Sequence, residues 1–203
     1  MSESIKAQRE QLAQIAITNK EILEGLVARL GESSRRVRQN AAAVLSCAAS
    51  LDAQAVYPYF DEILAAIDRP EAQTRWESLD VMSAFIAIDA QACEKAIDGA
   101  EGALFDEDSG PLRLAALRFL CRIGATSPER SAKVWPLVDE AIQCYHGDPE
   151  FQDMLVAITA FSESELDPEV AAALRARMEF DSRTGRGILK KRAQQIIANL
   201  GEE

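Results

Sequence analysis

The sequence predicts an all-α chain of stacked helical hairpins, and three observations carry that prediction. The first is composition: 203 residues, 48% apolar and 27% charged, with only 6% aromatic. Ala and Leu lead the apolar set, which suits helices packed closely through small residues better than sheets built on Val, Ile, Thr and aromatics. The second is periodicity. Every long apolar segment has helical spacing, and none alternates with the period of two that a half-buried strand requires. The third is a recurring slot, occupied by Arg38, Arg75, Arg113, Gln152 and Lys190 at spacings of 37, 38, 39 and 38 residues. A fixed period near 38 is an internal repeat whose units each bury an apolar face against their neighbours.

The elements follow in order. Residues 3–18 form one leading helix. Five pairs come next: 20–31 with 34–49, 55–68 with 71–88, 91–105 with 111–124, 129–146 with 149–162, and 168–179 with 184–200. The second helix of each pair carries the slot residue. "RRVRQNAAAVLSCAA" sets Val37, Ala41, Val44, Leu45 and Ala48 on one face, and "LRLAALRFLCRIGA" does the same with Leu112, Ala116, Leu120 and Ile123. Breakers stand where helices must stop: Gly31, Pro70, Gly110-Pro111, Gly147-Asp148-Pro149, Asp167-Pro168 and Gly201. The strings "VYPYFDEIL" (56–64) and "VWPLVDEAI" (134–142) lie 78 residues apart, two periods of 39. Pro58 and Pro136 are therefore expected near the start of a first helix, where a missing N–H costs little, with Tyr57 and Trp135 as matched packing residues.

The pattern resembles the HEAT-repeat family over nearly the whole chain. The residues that carry the resemblance are Pro58 and Pro136 in first helices, Asp68 and Asp148 between helices, and Arg38, Arg75, Arg113 and Lys190 in second helices. Repeats one, three and five lack the proline, and repeat four has Gln152 in the basic slot. The resemblance implies a right-handed α-α superhelix of about five hairpins plus the leading helix. It also implies one repeat domain over residues 1–203, with repeats at about 20–49, 55–88, 91–124, 129–162 and 168–200. An Arg near a helix start is badly placed for the helix dipole, so the slot residues should be held by acceptors in turns or neighbouring repeats.

Charge narrows the function classes. The chain carries a formal −11. Residues 39–173 hold 8 basic and 24 acidic side chains, whereas the first 38 residues and the last 30 are mildly basic. Such a body repels phosphate backbones, so nucleic acid is not the expected partner. "MSESIKAQRE" lacks the apolar core of a secretion signal, and no apolar run approaches the roughly 20 residues of a membrane span, so a cytoplasmic protein is expected. Cys47, Cys93, Cys121 and Cys144 have no C-x-x-C spacing and sit in apolar helical patterns; they are expected to be buried, reduced thiols rather than metal ligands. His146, the single histidine, precedes Gly147 at a helix end and is expected to cap it. With no phosphate-binding or dinucleotide fingerprint, no cofactor is expected.

One constellation remains. "RWESLD" places Trp76 and Asp80 four residues apart on one helix face, one and five positions after the slot Arg. The same two positions in other repeats hold Gln39 and Ala43, Leu114 and Arg118, Asp153 and Ala157, then Lys191 and Gln195. These positions lie off the apolar stripe, on the surface that the HEAT resemblance assigns to a concave groove. Asp80 and Arg118 are expected at matched heights on adjacent repeats. The expected function is non-enzymatic: binding a protein or peptide, with a basic or amphipathic segment, through Gln39, Trp76, Asp80, Leu114, Arg118 and Asp153. The alternative comes from a resemblance of W-x-x-x-D to HEAT-like DNA alkylation-repair glycosylases, which implies Trp76 packing a cationic base and Asp80 as catalytic carboxylate. The basic residues Arg186, Lys190, Lys191 and Arg192 are expected to form a solvated cap on the last helix.

Overall fold

A computed structural model describes residues 4–201. Among these residues every regular element is a helix. The chain divides into two compact units, Met1–Ala103 and Leu104–Glu203.

In the first unit, α1 (Ile5–Ala16) leads and α2 (Lys20–Ala28) follows, extended by a 3-10 turn at Arg29–Gly31. Then come α3 (Arg35–Leu51), α4 (Ala53–Val56), α5 (Phe60–Ala66), α6 (Ala72–Phe85), α7 (Ala90–Cys93) and α8 (Ile97–Leu104), the last of which ends at the boundary. Helices α1, α3 and α6 lie side by side as one layer, and α2 and α5 cover it from one side. The reason is the face each helix hides. α3 buries Ala41, Ala42, Ala43, Val44, Leu45, Ala48 and Ala49, a run of small residues that lets α6 approach with Leu79, Met82 and Phe85. Each fully buried Leu, Met or Phe contributes about 1.5–3 kcal/mol of transfer free energy. The predicted start of the leading helix at residue 3 lies outside the described residues; Ser4 caps α1 by accepting from the Ala7 N–H at 3.2 Å.

In the second unit the elements are α9 (Gly110–Gly124), α10 (Pro128–Cys144), α11 (Phe151–Ser162), α12 (Pro168–Thr184) and α13 (Gly187–Asn199). Here α9, α11 and α13 form a row, and α10 and α12 form the layer against it. Side-chain caps set the starts: Ser109 accepts from Leu112 N–H, Ser127 from Arg130 N–H, and Asp167 from Glu169 and Val170 N–H. Close approach of α9 to α10 and α11 needs Gly124, since a Cβ there would meet Val134 Cγ2 at 2.5 Å and Phe161 Cε2 at 2.9 Å.

Four local expectations are corrected. Pro136 lies inside the continuous 17-residue α10, not near its start, whereas Pro58 lies in a 3-10 turn between α4 and α5. The first helices predicted at 55–68 and 91–105 are each broken in two by 3-10 turns, at Tyr57–Tyr59 and Glu94–Ala96. Of the thiols, Cys93 and Cys121 are buried, but Cys47 is half-buried and Cys144, the last residue of α10, is exposed. The stripe of α10 that faces the core ends at Ala141 and Ile142, so Cys144 falls beyond it. His146 follows α10 but does not cap it: its Nε2 lies 3.0 Å from Asp181 Oδ2 of α12, and its ring packs on Phe151 at 5.1 Å.

Candidate partner-binding faces

The slot residues build the frame on which any site must rest. Arg38 gives Nε and Nη2 to the two carboxylate oxygens of Glu71 at 2.6 and 2.7 Å, and Nη1 to the carbonyls of Glu32 and Ser33. Glu71 also accepts from Thr74 Oγ1 at 2.8 Å. The Arg38 guanidinium, against the opposing pull of burial, and the Thr74 hydroxyl lower the Glu71 carboxyl to about 2. Arg113 repeats the design in the second unit: Nε and Nη2 reach Glu150, Nη1 reaches the carbonyls of Asp106 and Glu107, and the guanidinium lies over the Tyr145 ring. Arg75 donates to the Ile67 carbonyl and Lys190 to that of Arg183. Arg38, Arg75 and Arg113 therefore tie their helices to the turn before them, and Lys190 ties α13 to the last turn of α12, as their misfit with the dipole requires. Gln152, the neutral occupant, has its buried Oε1 without a hydrogen-bond partner.

Glu71 and Glu150 went unremarked in the sequence. Both occupy helix N-cap positions without making a side-chain cap. Glu is an uncommon N-cap, so a Glu standing where Ser or Asp belongs was the available signal.

Around this frame, the first unit presents one face made by α1, α3 and α6. Trp76 and Asp80 share the outer side of α6 with Glu77, and all three are half-buried. No residue of α6 is fully exposed, whereas α1 and α3 each carry exposed residues. Gln39 of α3 is half-buried too, but Ala43, its partner position in the predicted pattern, is buried and contributes to the core. Arg9 of α1 donates to Asn40 of α3 at 3.2 Å. Burial first, and then the carboxylates of Glu77 and Glu10, push the Cys47 thiol up against the opposing pull of Arg9 and Lys6, so charges of both signs surround that point of the face.

In the second unit the corresponding residues are less recessed. Leu114 is half-buried, while Arg118 of α9 and Asp153 of α11 are exposed, as are Arg122 and Val156. The six residues singled out in the sequence thus fall three to a unit: Gln39, Trp76 and Asp80 on α3 and α6, and Leu114, Arg118 and Asp153 on α9 and α11.

No helix of the described residues is long and apolar enough to cross a membrane. No protein-family model and no curated protein matches the sequence. Solved structures do match. A designed armadillo repeat protein in complex with the peptide (KR)4 superposes with a TM-score of 0.74 at 16% identity, covering 96% of this chain and 92% of that one. A second designed armadillo repeat protein gives 0.70 at 16% identity, over 97% and 93%. The archaeal HEAT-like repeats protein from Thermococcus onnurineus NA1 gives 0.53 at 14% identity, over 98% of both chains. At such identities the likeness is one of fold. The chain folds as a helical-repeat solenoid of the HEAT and armadillo kind.

Proposed function

We propose that this chain is a repeat scaffold that binds a basic or amphipathic segment of another protein on the α3–α6 face of its first unit. The observation that carries the reading is the half-buried strip on α6: an indole with carboxylates one and four residues further on, along a helix that has no exposed residue. An aromatic face flanked by carboxylates receives Lys or Arg side chains through cation–π and charge-assisted contacts. Gln39 on α3 extends the face, and Leu114, Arg118 and Asp153 offer a separate, more solvated contact surface on the second unit. That a designed protein of the same fold was solved with a (KR)4 peptide supports a basic ligand. The four free thiols, one of them exposed, suit a reducing compartment such as the cytoplasm.

The test is fluorescence anisotropy with a labelled (Lys-Arg)4 peptide. Wild type is expected to bind with an affinity that falls as salt rises. Trp76→Ala is expected to weaken binding about 30-fold, the loss of an anchor worth about 2 kcal/mol. Asp80→Asn is expected to act less, chiefly on the association rate. Binding that Trp76→Ala leaves unchanged sinks the proposed face. Release of a base from alkylated duplex DNA, lost in Asp80→Asn, would establish the glycosylase alternative instead.

A further inference from the structure

The last hairpin carries a surface that the frame leaves uncovered. Phe180 near the end of α12 is 70% exposed, and Ile188 at the start of α13 is 56% exposed. They flank the turn Gly185–Arg186. That turn is tight: the Gly185 N–H donates to the Asp181 carbonyl, a Cβ on Gly185 would collide with that oxygen at 2.3 Å, and Gly187 takes φ +57°. Residues 174–201 hold seven basic and two acidic side chains. Arg177 is bound to Asp139, Arg175 to the Gly201 carbonyl and Arg183 to Glu179 at 3.2 Å, and Arg183, Arg186 and Lys191 are all exposed on the elements that carry the apolar pair. The result is an apolar knob with a basic collar.

The first unit carries a matching recess on its other layer. Between α5 and α8 runs a groove of about 470 Å³, within the roughly 300–1,000 Å³ typical of occupied pockets. Leu64 and Ala65 give it apolar surface over a floor of buried Ile67 and Ala96, and Asp61, Asp68 and Asp98 line it with charge. Lys95, also on its edge, lies over the Phe60 ring. Gly99 lets α8 come close to α5, since a Cβ there would meet Ile67 Cγ2 at 2.8 Å.

We propose that the Phe180–Ile188 knob of one copy docks in the α5–α8 groove of a second copy, giving head-to-tail self-association. Charge complementarity selects this occupant. Knob against knob would oppose two basic collars, whereas knob against groove sets Arg183, Arg186 and Lys191 against Asp61, Asp68 and Asp98 around an apolar contact. Because knob and groove are different patches, the interface is heterologous, and a pair of copies joined by one contact keeps one free knob and one free groove between them. The surface is separate from the α3–α6 face, so either proposal can fail alone.

Sedimentation velocity tests this. At low ionic strength the weight-average mass of wild type should climb with concentration above the 22.2 kDa monomer and return to it at high salt. Phe180→Ser with Ile188→Ser, Arg186→Glu with Lys191→Glu, and Asp61→Lys with Asp98→Lys all alter exposed positions, so helicity by circular dichroism should be unchanged. Each is expected to weaken self-association at least about tenfold. Mixing a knob variant with the groove variant restores one intact interface per pair, so a dimer that grows no further should appear. Wild type that stays monomeric at low salt overturns the proposal. So does association that the knob variants leave intact, or a mixture that remains monomeric.

Discussion

Residues 56–64 and 134–142 share the pattern Val-aromatic-Pro followed two residues later by Asp-Glu, and the two units fold it differently. In the first unit the helix breaks into α4 and α5 around Pro58; in the second, α10 runs unbroken through Pro136. Proline is not the cause, because α7 and α8 break in the same way at Glu94–Ala96 with no proline present. What the two broken helices share is their start. Both begin Asp-Ala-Gln-Ala, at 52–55 and 89–92, with the Asp side chain capping the N–H three residues on. The two continuous helices begin Ser-Pro-Glu (127–129) and Asp-Pro-Glu (167–169), with proline at the first helical position and an acid in the first turn. Proline there has its φ preset for the helix, and the acid complements the dipole. The comparison teaches that the entry residues go with the course of these helices, and that a shared interior string does not.

The units also differ in how deeply they bury their Arg–Glu clasps, and that difference gives the largest predicted effect. Glu71 is buried and held by Arg38 and Thr74, whereas Glu150 is half-buried and accepts from Arg113 alone among side chains. Glu71→Ala should lower the melting midpoint by roughly 8 °C and Glu150→Ala by roughly half of that. Trp76 and Trp135 fall one to a unit, so Trp135→Phe and Trp76→Phe backgrounds let fluorescence report each unit separately. Equal losses in both units would erase the contrast. Acid sharpens it. A carboxyl lowered from 4.5 to about 2 on folding contributes stability that is fully present above the higher value and is lost as pH falls toward the lower. The first unit should therefore lose stability between about pH 4.5 and 2, and Glu71→Gln should flatten that loss.

A smaller effect separates the prolines. Pro136→Ala restores an N–H that can reach the Ala132 carbonyl within α10, and should stabilise the second unit by about 1 kcal/mol in urea unfolding. Pro58→Ala in the 3-10 turn should change the first unit by less than about half of that. Larger stabilisation at Pro58 would mean that proline does hold the break open.

The smallest effect concerns the thiols and leaves stability untouched. Cys144 should react with a thiol reagent in the native state, Cys47 more slowly, and Cys93 and Cys121 only on unfolding. Burial pushes Cys93 up to about 12 and Cys121 higher still, so neither offers thiolate at neutral pH. Mass spectrometry after brief labelling separates one modified site from several.

Much of this was legible in the sequence because it is local. The helices at 20–31, 34–49 and 111–124 could be placed within two or three residues from apolar period, caps and breakers, which act over a single turn. The basic slot was legible as a period, and its need for acceptors followed from the dipole of its own helix. The half-buried strip around Trp76 was half legible: the i, i+4 pair could be read, but Glu77 and the burial of Ala43 could not, since both depend on which way the helix rolls against its neighbours.

The sequence by itself determined an all-helical repeat and the spacing of its turns, because propensity, capping and amphipathic period are properties of short segments. The tertiary structure decided which Glu answers each Arg, since Glu71 lies 33 residues from Arg38 and Glu150 lies 37 from Arg113. It decided that Cys144 faces solvent and that His146 meets the buried Asp181 of another helix. It also decided that α6 has no exposed residue. Each of these depends on the packing of one helix against the next, and that contact is set by side chains more than thirty residues apart.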